Sequence, residues 1–235
     1  MVSVPSLRDL LDAGVHFGHK KARWHPKMDR FIFITKNGVS VINLEKTVEE
    51  LEKTVAELKR MASEGKTIIF VGTKKQAQEI VKKVAINCGM PYVNFRWVGG
   101  MLTNFDNIKV AITKYKKQKE ELETGKLDDL SKKELSHIGK DIQRGDRVFG
   151  GLVSLEKKPD AFILLGAHDE KNALKEAKLL NIPIFAMVDT NTDPTGISFP
   201  VPANDDATKS IELFANLFSA VIKENKGVAK AQEQK

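Results

Sequence analysis

Three unbroken apolar runs constrain the fold most: Thr67-Ile-Ile-Phe-Val71, Ala161-Phe-Ile-Leu-Leu165 and Ile184-Phe-Ala-Met-Val188. Each reads as a strand buried on both faces, since none alternates with polar residues. Helical patterns stand between them. Ala77, Ile80, Val81, Val84 and Cys88 share one helix face, which Gly89 and Pro91 end, and Tyr92-Val93 reads as a short strand. Ala173, Leu174, Ala177 and Leu180 mark a second helix. Asn204-Asp-Asp206 caps a third, with Ala207, Ile211, Phe214, Phe218 and Val221 inward. This alternation predicts an α/β protein with a parallel sheet and helices on both faces.

Ahead of these runs, Phe31-Ile-Phe-Ile34, the turn signal Asn37-Gly38 and Val39-Ser-Val-Ile42 predict a β-hairpin. Leu44, Val48, Leu51, Val55 and Leu58 then recur as one face of an amphipathic helix ending near Gly65. Residues 105–149 break the rhythm. Phe105, Ile108, Ile112, Tyr115 and Leu122 form one narrow stripe, and Leu135, Ile138 and Ile142 another. The polar stretch Thr124-Gly-Lys-Leu-Asp-Asp129 lies between them, so an antiparallel helical hairpin is expected to project from the sheet domain. Gly150-Gly151 would be its hinge. The expected organisation is one α/β domain over 1–104 and 150–225, a projecting hairpin over 105–149 and a mobile tail over 226–235.

Charge bears on partners. Lys and Arg number 38 against 31 Asp and Glu, a net +7 with a pI near 9.3, which favours an acidic partner. The excess has a focus in His16-Phe-Gly-His-Lys-Lys-Ala-Arg-Trp-His-Pro-Lys-Met-Asp-Arg30, where eight of fifteen residues are Lys, Arg or His and Asp29 is the one acid. Burying such a segment unpaired would cost several kcal/mol per charge. Phosphates suit it better, and Trp24 and Phe17 offer rings to unpaired bases. A solvated basic loop would have no need of those aromatics. In Asn94-Phe-Arg-Trp-Val-Gly-Gly-Met-Leu-Thr-Asn104, Arg96 beside Trp97 pairs a phosphate ligand with a stacking plane; the competing reading is that Trp97 covers the hairpin base.

Other chemistry is weakly signalled. No apolar run approaches the roughly 18 residues of a membrane span. The first residues lack a signal-peptide pattern, and Cys88 is the single cysteine, so the chain reads as cytosolic. Val71-Gly-Thr-Lys-Lys75 follows a strand and opens a helix, which keeps a phosphate- or nucleotide-binding α/β enzyme as the alternative. Yet neither glycine motif for phosphates occurs, and Thr73 is as well explained as an N-cap. His16, His19 and His25 lie close together, but zinc prefers four N or S ligands. Asp189, Asp193, Asp205 and Asp206 gather at an expected strand end, where turns and caps account for them without Mg²⁺. No catalytic residue, metal or cofactor is assigned.

The blocks His16-Phe-Gly-His19, Trp24-His-Pro-Lys-Met28, Ile42-Asn-Leu-Glu-Lys-Thr47, Phe70-Val-Gly-Thr-Lys74 and Arg96-Trp-Val-Gly-Gly-Met-Leu-Thr-Asn104 occur in order. Lys158-Pro-Asp-Ala161, Ile182-Pro-Ile-Phe-Ala-Met-Val-Asp-Thr-Asn191, Asp193-Pro194 and Asn204-Asp-Asp-Ala207 continue the series. From about Ser3 to Val221 the chain resembles the bacterial small-subunit ribosomal protein two family. The resemblance implies a flavodoxin-like doubly wound parallel sheet with an inserted coiled-coil hairpin, and no enzymatic activity. It implies binding to small-subunit ribosomal RNA at the head–body junction, and contact with neighbouring ribosomal proteins, including support for docking of ribosomal protein one. No membrane or small-molecule substrate is implied, and the site is cytoplasmic, on the ribosome. By motif match the RNA-binding residues are His16, His19, Lys20, Lys21, Arg23, Trp24, Lys27, Arg96, Trp97, Thr103 and Asn104. The chain departs from the family in lacking an acidic side chain after Leu164-Leu165-Gly166 and an acidic C-terminal extension.

Overall fold

The computed structural model describes residues 3–124 and 131–232, with side chains for all but Lys132 and residues 227–232. Ser6 opens helix α1 (Leu7–Asp12) with a capping box: its hydroxyl accepts from the Asp9 N–H, and the Asp9 carboxylate accepts from the Ser6 N–H. Strand β1 (Phe17–Lys20) follows. The expected hairpin is present as β2 (Ile32–Lys36) and β3 (Val39–Ile42), turned by Asn37 and Gly38, both at positive φ (52° and 77°). That pair of left-handed residues matches the twist of the strands. The sequence did not reveal β1, which pairs with the other side of β3, giving a three-stranded antiparallel sheet in the order β1-β3-β2.

Helix α2 (Leu44–Ser63) starts on Asn43, whose side-chain oxygen accepts from the Glu45 and Lys46 N–H groups (2.9 and 3.3 Å). Its buried face carries Leu51, Val55, Leu58 and Met61. Strand β4 (Ile68–Val71) leads to α3 (Gln78–Cys88), which ends on left-handed Gly89, and then to β5 (Tyr92–Val93). After α4 (Phe105–Glu123) and α5 (Lys132–Phe149) come β6 (Ala161–Leu165), α6 (Lys171–Leu179), β7 (Ile184–Val188), β8 (Phe199–Pro202) and α7 (Thr208–Gln232).

The main sheet is parallel throughout, in the order β5-β4-β6-β7-β8. Ranked along the chain this is the flavodoxin-like order, with its switch point between β4 and β6. Successive strand residues face opposite layers. Ile68, Phe70, Ile163, Leu165, Phe185 and Met187 pack with α2, α3 and α7, whereas Ile69, Val71, Phe162, Leu164, Ala186 and Val188 pack with α6 and the long loops. The unalternated apolar runs are explained by this double covering. β8 went unread because Pro200 and Pro202 argue against a strand. As an edge strand it tolerates prolines, which have no N–H to give a further neighbour.

Helices α4 and α5 meet where Gly145 faces the Tyr115 ring, with no room for a Cβ. The Tyr115 hydroxyl donates to Asp146, whose carboxylate also takes the Lys119 ammonium at 2.7 Å. Phe105 and Ile112 join the second core layer, tying the base of this helix pair to the sheet. The expected turn between the helices falls, from residue 125 onward, outside the described residues. At Gly151 a Cβ would overlap the Tyr92 carbonyl, so close packing on β5 demands glycine there. Past Lys226, where the apolar pattern stops, α7 continues as helix to Gln232.

Candidate nucleic-acid interface

Backbone bonds fix the basic N-terminal segment along the carboxyl edge of β7. The His19 N–H donates to the Thr190 hydroxyl (2.8 Å), the His25 N–H to the Thr190 carbonyl (2.7 Å) and the Lys21 N–H to the Gly38 carbonyl (2.8 Å). A Cβ at Gly18 would lie 2.8 Å from the Ser40 carbonyl oxygen, so this contact also needs glycine. Met28 and Phe31 are buried in the second core layer and pin the segment from beneath. With the main chain thus held, the side chains meet three fates.

Lys20, Lys21 and Arg23 are exposed and have no side-chain partner among the described residues, and Trp24 is half-buried beside them. His19 and Lys27 are engaged by carboxylates. Lys27 Nζ lies 3.2 Å from Asp193 and 2.7 Å from the Thr195 hydroxyl. His16 corrects the sequence reading: its Nδ1 is buried without a partner, its ring rests on Phe17 at 4.0 Å, and burial lowers its pKa. With Nδ1 buried and its pKa lowered, His16 is a weaker phosphate ligand than the lysines beside it.

His19 lies between two acids, with Nδ1 3.0 Å from Asp189 and Nε2 3.2 Å from Asp206. One donor atom from each of these three residues falls within 4.8 Å of the others, so they could converge on a cation. When protonated, His19 itself supplies a positive charge between the two acids. The hydrogen bond to Asp189 raises the His19 pKa, against burial, and the charges of Asp189, Asp206 and Asp205 add to it. Behind them Asp205 is fully buried, one oxygen on Lys74 and the other unpartnered. Burial and then the charge of Asp189 push its pKa up to about 6 despite Lys74.

The signs agree. A histidine with a raised pKa stabilises the fold fully below its unfolded value of about 6.5, and that contribution is lost as pH rises through the folded pKa. An acid raised from about 4 likewise favours the fold below that value and loses its contribution as pH rises. Glu170, raised by burial, acts in the same direction. Asp206, held low by Lys74 in spite of burial, titrates below this window. The urea midpoint is therefore expected to fall from about pH 4 to about pH 6 as Asp205 ionises and again above about pH 6.5 as His19 loses its proton, with His19→Gln reducing the second fall. A pH-independent midpoint would show that these groups are not coupled to folding.

The loop after Val71 sits at the switch point, where α/β proteins bind ligands. Here the protein's own acids occupy it. The Thr73 N–H donates to Glu170 Oε1 at 2.5 Å, and the Lys74 ammonium meets Asp205, Asp206 (2.8 Å) and Asp169 (3.2 Å). Thr73 is not an N-cap; that position of α3 falls to Ala77, with no side-chain bond.

In the second segment Trp97 is only 5% exposed, its ring 5.6 Å from that of Phe162. This corrects its role as a base-stacking plane, because no face is open; it is core under the loop. Arg96 and Asn104 are exposed, and Asn104 occupies the N-cap position of α4 without a side-chain bond. The Thr103 hydroxyl donates to Glu176. Glu176 went unnoticed in the sequence, where it is one acid among several on a predicted helix. The buried residues of both segments, Met28 and Phe31 with Trp97, Met101 and Leu102, share one core layer, so both segments lie on the same side of the sheet. Lys109, Lys114 and Lys117 line one outer face of α4.

A family model described as Ribosomal protein S2 matches residues 10–225. Similar curated proteins are named small ribosomal subunit protein uS2. That of Aliarcobacter butzleri is 47% identical over 94% of this chain and 83% of its own length. That of Fusobacterium nucleatum is 44% identical over 99% and 95%, and that of Coprothermobacter proteolyticus 41% over 96% and 84%.

Proposed function

This chain belongs to the ribosomal protein S2 family, and from that premise we propose that its exposed cations bind small-subunit rRNA where the head and body of the subunit meet. It is a structural component of the small subunit in translation on the cytoplasmic ribosome, not an enzyme. The observation that carries the RNA reading is the trio Lys20, Lys21 and Arg23, exposed and without side-chain partners among the described residues, on a backbone fixed to Thr190 and Gly38. Because the main chain that carries them is already fixed, only side-chain freedom is lost when these cations meet phosphates. Arg96, Asn104 and the lysines of α4 extend the footprint, with α4 and α5 as a projecting coiled coil tying distant rRNA elements together. Half-buried Trp24 keeps its place as a wedge or stacking ring. His19, Lys27 and Thr103 act by fixing the surface, since their polar atoms have partners within the protein. Crosslinking in the assembled subunit tests this: rRNA adducts are expected at residues 16–30 and 94–104, and their absence would defeat the reading.

We propose that a separate surface supports docking of a neighbour, ribosomal protein one being the partner that the family resemblance implies. Leu7, Leu11, Val41 and Leu44 line an apolar groove with Arg8 and Glu45 at its rim. Phe33, on edge strand β2, also lines it and is 72% exposed. Aromatic anchors in such grooves carry a large share of binding energy. Phe33→Ala is expected to weaken retention of ribosomal protein one on purified subunits by about tenfold or more, with rRNA binding unchanged. Full retention would move the docking site elsewhere.

A further inference from the structure

Both oxygens of Glu176, on α6, are filled from one loop. Oε1 accepts from the Trp97 indole N–H (3.0 Å) and the Gly100 N–H (2.8 Å). Oε2 accepts from the Leu102 N–H (3.0 Å), the Thr103 N–H (3.1 Å) and the Thr103 hydroxyl (3.1 Å). Nearby backbone N–H groups aimed at one anion form a nest, and bonds to an ionised acceptor are the stronger kind. Gly100, at φ +86°, adopts a backbone that side chains rarely allow. Burial pushes the Glu176 pKa up, but the donors of Trp97, Leu102, Thr103 and Gly100 outweigh it, so the group stays ionised. The loop is thus folded around an internal anion, with Arg96 and Asn104 left facing outward at its two ends.

We propose that Glu176 is the positioning residue for rRNA contact by residues 96–104: its carboxylate sets the loop shape that presents Arg96 and Asn104. This rests on the reading that the loop touches rRNA. The proposal makes a prediction opposite in sign to simple charge arithmetic. A merely surface acid near RNA repels phosphate, so removing its charge tightens binding. A positioning acid, once neutralised, loosens the loop and weakens binding.

The test begins with crosslinking of the intact protein in the subunit. No rRNA adduct at residues 94–104 would overturn the interface reading, and this inference with it. Where adducts form, Glu176→Gln is compared with the parent for affinity, and its fold is checked by the two tryptophan indole N–H resonances. The expected result is about tenfold weaker binding and loss of adducts at 94–104 with those at 16–30 retained. The Trp97 indole signal and the amides of Gly100, Leu102 and Thr103 should shift while the Trp24 signal stays. Equal or tighter binding by the folded variant overturns the proposal. Should Glu176→Gln fold poorly, Glu176→Asp keeps the charge and withdraws the carboxylate by one methylene. Weaker binding is then expected, and binding equal to the parent overturns the proposal.

Discussion

Replacing Lys20, Lys21 and Arg23 together by alanine is expected to flatten the salt dependence of rRNA binding and to impair entry into the subunit, without unfolding the isolated protein. The reason is counterion release. A protein neutralising about six phosphates loses roughly 10³-fold in affinity between about 50 and 200 mM salt, and removing three of those contacts leaves a loss of only about 40-fold. The fold should survive because these side chains are exposed and make no side-chain hydrogen bond or ion pair among the described residues, and such surface changes stay within about 0.5 kcal/mol each. The segment's anchors are Met28, Phe31 and the backbone bonds to Thr190, which the substitutions leave in place. Affinity measured across a salt series, with incorporation into subunits alongside, decides the matter. An unchanged slope with normal incorporation would show that this trio is not an anchor.

Phe162→Ala is expected to cost about 3–5 kcal/mol of folding stability, a large share of the 5–15 kcal/mol typical of a domain. Phe162 is fully buried in β6, between β4 and β7, and its ring lies against Trp97. Its removal opens a cavity in the second core layer, beneath the loop that Glu176 organises. A denaturant series should show a lower midpoint with an unchanged slope. Leu179→Ala, at a position 73% exposed, serves as the control and should change little. A loss below about 1 kcal/mol for Phe162→Ala would mean that the layer repacks freely, contrary to the cost expected of a filled core.

The two layers differ in how far the sequence exposed them. α2, α3 and α7 were legible from their apolar spacing, because a helix on a sheet needs a repeating stripe. The layer around Phe162 includes Met28, Trp97 and Leu102, drawn from loops that have no period to read. β1 and β8 were missed for a similar reason. One is embedded in a run of cations and the other carries two prolines, and only their positions at sheet edges make them strands.

The same division holds for the candidate interface. By itself the sequence determined the parallel α/β domain, the helices between β5 and β6, the family and the two candidate segments, since apolar runs, helical spacing and ordered motif blocks are local properties of the chain. Only the tertiary structure decided which charges in those segments remain free. Lys20, Lys21, Arg23 and Arg96 stay exposed, His19 meets Asp189 from 170 positions away, and Trp97 passes into the core with its indole on Glu176, 79 positions on. Charge and aromaticity are written in composition. Whether a cation is already neutralised, or a ring already covered, depends on partners that folding brings together from distant parts of the chain.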